Sequence, residues 1–490
     1  MKLSYLPPLM VYAAYGVSGL TGIVATFFVK DYLDLSAEFL AALLFWAGIP
    51  WALKMPVGHL VDLIWRWKAA LVWLGAALLA ASLLIMVGLI SHTEAMRAVM
   101  SAERWYVLSA LLAPTGYMIQ DAVADAMTVE AVPRVDETGK AYDEATRKSM
   151  HTTMQTLGRV ALIGGLALVA LVNVFLFHGT EQLTKEDKAA LYADVYAWAL
   201  VIPVISVLGV ILHRFLRHER EALEKIRPNW TVLGGSLAFV AVVLAVGLGG
   251  VPYAEELVFA ASAAIIVFLL WRLARELEPR AREVLVATAL VIFLYRAVPL
   301  TGEGSSWWMI DVLKFDEGFF AQLQLVTYAL TLAGMFALRR FMAEHSIATI
   351  VVVLSVAAAV LSLPMVGMFY GLHEWTAART GGLVDARAIA LVNTALESPL
   401  GQIAMIPMLA WIASSAPANL KATYFAVMAS FSNLALAASQ LGTAYLNRAF
   451  EVKRGDYSEL GALMITAAVL TLLLPLAAVA GVRLLRLRTA

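Results

Sequence analysis

Residues 15–43, YGVSGLTGIVATFFVKDYLDLSAEFLAAL, recur without a gap as residues 295–323, YRAVPLTGEGSSWWMIDVLKFDEGFFAQL, at an offset of 280 positions. Nine positions are identical: Tyr15/Tyr295, Leu20/Leu300, Thr21/Thr301, Gly22/Gly302, Asp31/Asp311, Leu33/Leu313, Phe39/Phe319, Ala41/Ala321 and Leu43/Leu323. Each copy is an apolar run, a short polar connection and the start of a second apolar run. A chain that repeats such a helix pair after more than half its length is built from two similar halves.

Outward from the repeat, apolar runs continue to both ends. Of the 490 residues, 61% are apolar and 15% charged, against about 45–50% and about 25% in soluble domains. This excludes a disordered chain, a coiled coil, a disulfide-stapled secreted domain and an ordinary cytosolic enzyme. A bilayer core takes about 20 apolar residues per spanning helix. Fourteen such segments are predicted, near 9–29, 36–60, 69–91, 104–129, 152–177, 193–213, 231–250, 255–272, 284–302, 318–338, 347–371, 388–412, 422–446 and 459–482. The organisation is six, two and six: an N-terminal six-helix bundle over 1–217, a charged linker with an inserted transmembrane hairpin over 218–282, and a C-terminal six-helix bundle over 283–490. The reading is an all-α polytopic membrane protein.

With the N-terminus placed inside, Lys and Arg favour the inner loops at roughly two to one, as the positive-inside rule expects. That orientation puts both termini in the cytoplasm, in the inner (plasma) membrane. Met1-Lys2-Leu3 runs into the first apolar segment with no small-residue cleavage site, so a retained first helix is expected. Net charge is zero and there are no cysteines. Nucleic acid is not an expected partner, and thiolate chemistry is excluded. With no His-x-x-x-His pair either, no metal and no cofactor is expected. A Walker A sequence, Gly-x-Ser-x-Gly and His-Glu-x-x-His are all absent, which argues against ATP-driven export and intramembrane hydrolysis.

Two similar six-helix halves are how many secondary transporters are built. In such a chain the informative residues are ionisable groups at bilayer depth, which are costly unless paired or hydrated. Asp121 and Asp125 are four apart and share one helical face; two close carboxylates repel, and sharing a proton relieves the repulsion. They are the expected proton-coupling pair, with Glu397 as a further member. Arg159 lies in the next apolar run and needs an anion. Asp121 or Asp125 is the nearest in sequence, and a substrate carboxylate is the alternative. Asn393 and Glu397 repeat the four-residue spacing, with Pro399 following. Arg296 and Glu303 are seven apart, two turns on one helical face, and Pro299, Gly302 and Gly304 make that helix breakable. Glu303 is read equally well as a solvated acid in an outer mouth. Tyr117, Trp307 and Trp308 sit beside these polar positions, where a flat ligand would stack. Lys54, Asp62 and Arg66 surround a Gly-x-x-x-Asp-x-x-x-Arg pattern from Gly58. An acid and a base there would latch one state of a moving pair of halves, although simple inside anchoring explains Arg66 as well.

Several blocks resemble the folate–biopterin transporter family of the major facilitator superfamily. They are FFVKDYLDLS from Phe27, IPWALKMPVGHLVD from Ile49, the acidic helix with Asp121, Asp125 and Glu130, and the stretch from Glu397 to Ala435. The resemblance implies a major facilitator fold and proton-coupled movement of folates or pterins by alternating access. The expected partners are a small organic anion, heteroaromatic in that case, protons and the bilayer, with the chain acting as a monomer and not as an enzyme. The family usually has twelve helices, against the fourteen read here. Muropeptide permeases of the same superfamily share the Gln120-Asp121 and Asp125-Ala126 pattern and can carry an extra hairpin; they are the alternative. A reading of another class is a non-transporting assembly factor or receptor on a transporter scaffold, which would need no buried acid–arginine set.

Overall fold

The computed structural model describes the chain except residues 1–2, 34, 53, 55–56, 58–59, 62–63, 65–66, 133–141, 217–240, 244, 247–250, 276, 402, 409–410, 412–420, 488 and 490. The described chain is helical, and an isolated bridge between Lys453 and Asp456 is its extended pairing. The principal helices are α1 (Leu6–Val17), α2 (Gly22–Tyr32), α3 (Ala37–Ala52), α4 (Lys68–Ser91), α5 (Ala102–Ala131), α6 (Glu144–Leu176), α7 (Lys185–Trp198), α8 (Val201–Leu216), α9 (Ala254–Arg275), α10 (Pro279–Arg296), α11 (Glu303–Asp311), α12 (Glu317–Ala337), α13 (Ile347–Phe369), α14 (Ala386–Glu397), α15 (Lys421–Ala449) and α16 (Leu460–Leu484).

Among the described residues, ten stretches are long and apolar enough to cross a membrane, and each coincides with one of the fourteen expected segments. Three of the others are helices that are shorter or more polar: α3, α10 and α15. The segment near 231–250 lies largely outside the described residues.

Two compact units form, Met1–Leu33 with Leu53–Ala241, and Asp34–Ala52 with Val242–Ala490. Residues 37–52, expected in the N-terminal bundle, belong to the second unit. Helix α3 is apolar all round, and its Phe45 and Ile49 pack with Val258 of α9 and with Ala437 and Leu441 of α15. Polar ties at the same helix reinforce this: Trp46 Nε1–H donates to Glu255 at 2.8 Å and Arg448 donates to Glu38 at 2.6 Å. The second helix of the inserted pair, α9, is thus an integral part of the second unit's core.

Within the first unit, α1 crosses α6 and α4 crosses α5 at glycines. A Cβ on Gly16 would lie 2.2 Å from the Leu162 carbonyl oxygen, and one on Gly75 would lie 2.6 Å from that of Gly116. Lipid gives helices no hydrophobic drive to associate, so close backbone approach through small residues supplies the packing. In the second unit the breakable helix is broken: α10 ends at Arg296 and α11 begins at Glu303. Pro299 cannot donate to a helical ladder, and Gly302 sits at φ +72°, a left-handed conformation that favours glycine. One stripe on α15 satisfies the freed backbone. Ser439 donates to Val298 O at 2.6 Å, Thr443 accepts from Leu300 N at 2.9 Å and Asn447 donates to Thr301 O at 3.2 Å. Non-helical backbone at membrane depth is tolerated where protein satisfies it in this way. The same polar stripe is why α15 reads as less apolar than its neighbours.

Candidate functional site

The first unit gathers its charges around Lys54. Helix α5 carries Asp121 and Asp125 one turn apart, and the Lys54 ammonium reaches both, donating to Asp121 at 2.5 Å and lying 2.8 Å from Asp125. Lys54 follows α3 by two residues, and its long apolar stem lets the head reach across. The far oxygen of Asp125 accepts from the Tyr12 hydroxyl of α1 at 2.5 Å. Gly158 of α6 leaves room for the Tyr12 ring, since a Cβ there would lie 3.0 Å from it. Arg159 beside it is exposed, and its charge acts on Asp121, Tyr12 and Tyr15. Two cations and two carboxylates make this constellation neutral. It is also accessible: the Asp125 side chain is 45% exposed and that of Lys54 30%. Tyr15 and Tyr117 pack ring to ring at 5.0 Å beside it.

Lys54 is an ion-pair partner of both acids; the sequence spacing offered Arg159 to them, with a substrate carboxylate as its alternative. Lys54 is engaged at this cluster; Asp62 and Arg66, expected with it in a latch, lie outside the described residues. Tyr12 was missed altogether. The signal for Lys54 was its place inside a predicted helix; Tyr12 gave none, because a tyrosine in an apolar run reads as packing.

In the second unit the expected residues are dispersed. Asn393 is buried in α14, whereas Glu397 at its end is exposed. The helix there tightens into the turn Ser398–Leu400, and Thr331 of α12 donates to Ser398 O at 3.0 Å. Arg296 and Glu303 do not share a helical face, because the break at Pro299–Gly302 separates them; Glu303 opens α11 and is half-buried. Trp307 and Trp308 are core residues, not open stacking faces. Trp307 is fully buried with the Arg454 guanidinium 4.9 Å over its ring, and Trp308 packs on Phe369. Trp307→Ala is accordingly expected to destabilise the protein by about 3–5 kcal/mol. Thermal unfolding in detergent reads this as a lower Tm.

The fold is similar to that of a POT family transporter solved with 5-aminolevulinic acid, with a TM-score of 0.65 at 12% identity over 98% of this chain and 94% of that one. It is also similar to the nucleoside transporter NupG, with a TM-score of 0.61 at 11% identity over 98% and 99% of the two chains. A multi-helix membrane protein with the fold of these solved transporters, and with paired acids on one of its apolar helices, is the class these features define. Residues 237–483 match the model of the BT1 family, and the chain belongs to that family, the folate–biopterin transporters. A relative in Synechocystis sp., a folate-biopterin transporter, is 24% identical over 95% of this chain and 79% of its own length. The chain is thus a multi-pass membrane transporter.

Proposed function

We propose that the protein is a proton-coupled secondary transporter that moves a small organic anion of folate or pterin type by alternating access. It would lie in the inner membrane with both termini cytoplasmic. The observation that carries this reading is the charge-balanced cluster in which one lysine serves two carboxylates one turn apart. A proton added to either carboxylate leaves Lys54 with a single anionic partner and the cluster with one net positive charge. An anion and a proton then compensate each other, and neither moves cheaply alone. Tyr12, bonded to the more exposed acid, holds Asp125 in place while it exchanges its proton. The family membership and the name of the Synechocystis relative support the cargo class, and the excess of Lys and Arg in the inner loops supports the orientation.

The test is uptake of radiolabelled folate and biopterin into proteoliposomes under an inward proton gradient. Accumulation that a protonophore abolishes is the expected result. Failure to move either compound, or accumulation indifferent to the gradient, would overturn the reading.

A further inference from the structure

The second half carries a base where the first carries a glycine. At the offset of 280, Gly16 of the first half corresponds to Arg296 of the second, and Gly334 is a further glycine of the second half. Both glycines are tight crossings. A Cβ on Gly16 would meet the Leu162 carbonyl at 2.2 Å, and one on Gly334 would meet that of Pro399 at 2.5 Å. Each half has such a base, Lys54 or Arg296, and such a close crossing, at Gly16 or Gly334.

The two bases differ in their company. Lys54 has both carboxylates of α5. Arg296 is half-buried, and among the described residues it has no carboxylate partner: Nε donates to Ser432 O at 3.4 Å and Nη1 lies 3.9 Å from the Met405 sulfur. A guanidinium has five N–H donors, so most of this fork is unused. It borders a small cavity whose other walls are mostly apolar, including Ile292, Ile347, Val351 and Met408, with Tyr295 beside it. A bare cation at such depth is costly unless something anionic visits it. A planar fork against apolar walls suits a singly charged carboxylate held by two parallel bonds. The cavity is too small for a ring system, so it would take the acid end of a cargo and not its heterocycle.

Building on the transport reading above, we infer that Arg296 is the specificity determinant that separates cargo with a carboxylate from cargo without one, the first unit handling the proton and the second the carboxylate. The test compares folate, which carries carboxylates, with biopterin, which carries none, in proteoliposomes. Arg296→Gln should raise the KM for folate by about ten- to a hundredfold, the loss that charge-assisted bonds represent, and leave the KM for biopterin unchanged. Arg296→Lys keeps the charge without the fork and should fall between wild type and Arg296→Gln for folate alone; it carries the test if the glutamine variant does not fold. An equal rise for both compounds, or no rise for folate, would overturn the inference while transport by the wild type still stood. Wild-type protein that moves neither compound would overturn the transport reading and this inference with it.

Discussion

Lys54→Gln is expected to cut concentrative uptake by about a hundredfold, the low end of what a positioned proton-transfer group contributes, and to lower stability as well. The substitution removes the cation that both Asp121 and Asp125 contact, at 2.5 and 2.8 Å. Two carboxylates one turn apart are then left facing each other, with Arg159 near but exposed. Breaking a fully buried pair costs about 3–5 kcal/mol. Here the 45% exposure of the Asp125 side chain lets water take up part of the charge, so a loss of about 1–3 kcal/mol is expected. The double variant Lys54→Gln/Asp121→Asn removes one charge of each sign. It should regain most of the lost Tm without regaining uptake, because Asp125 then lacks the ammonium that lay 2.8 Å from it and its protonation no longer shifts a shared lysine. Uptake assays and thermal unfolding on the two variants and the wild type separate the two effects. Single-variant uptake near wild type would remove Lys54 from the mechanism.

Gly16→Ala is expected to be the most destabilising small substitution in the first unit, at about 3 kcal/mol. The added Cβ would lie 2.2 Å from the Leu162 carbonyl oxygen and 2.9 Å from the Gly165 Cα. Both are backbone atoms, so no side chain can turn aside and α1 must lift from α6. That movement also carries Tyr12 away from Asp125, one turn along α1. Gly22→Ala is the internal control: nothing lies within 4 Å of the Cβ it would add, and its effect should stay within about 0.5 kcal/mol. A common small effect on Tm for both substitutions would show that the α1–α6 crossing is looser than described.

How much of this was legible in the sequence depends on the range of the interaction. The repeat, the apolar runs and the breakable segment at Pro299–Gly302 are local patterns, and the helices follow them. The placing of α3 was not legible. Its sequence neighbours are in the first half, but its packing partners, Val258, Ala437 and Leu441, lie some 200 to 390 residues away. The acids of α5 were legible because spacing on one helix is local. Their partner was not, since Lys54 is 67 positions from Asp121 and Arg159 is nearer in the chain. Trp307 and Trp308 misled for the same reason: an aromatic pair beside polar residues reads as a binding face, and only the packing of Phe369 and Arg454 against it shows a core. The polar stripe Ser439, Thr443 and Asn447 carried its own signal, a four-residue spacing on one helical face, whose purpose appears only beside the broken backbone it bonds.

The most direct measurement of the coupling claim is Asp125→Asn in proteoliposomes, assayed in two modes on the same preparation. The substitution removes one titrating carboxylate and leaves the Lys54–Asp121 pair in place. Exchange of labelled for unlabelled cargo without a proton gradient should persist, because the site then carries a permanent positive charge that suits an anion. Uphill accumulation driven by the gradient should vanish, and the dependence of transport on pH should flatten. Accumulation equal to wild type with an unchanged pH profile would contradict the account.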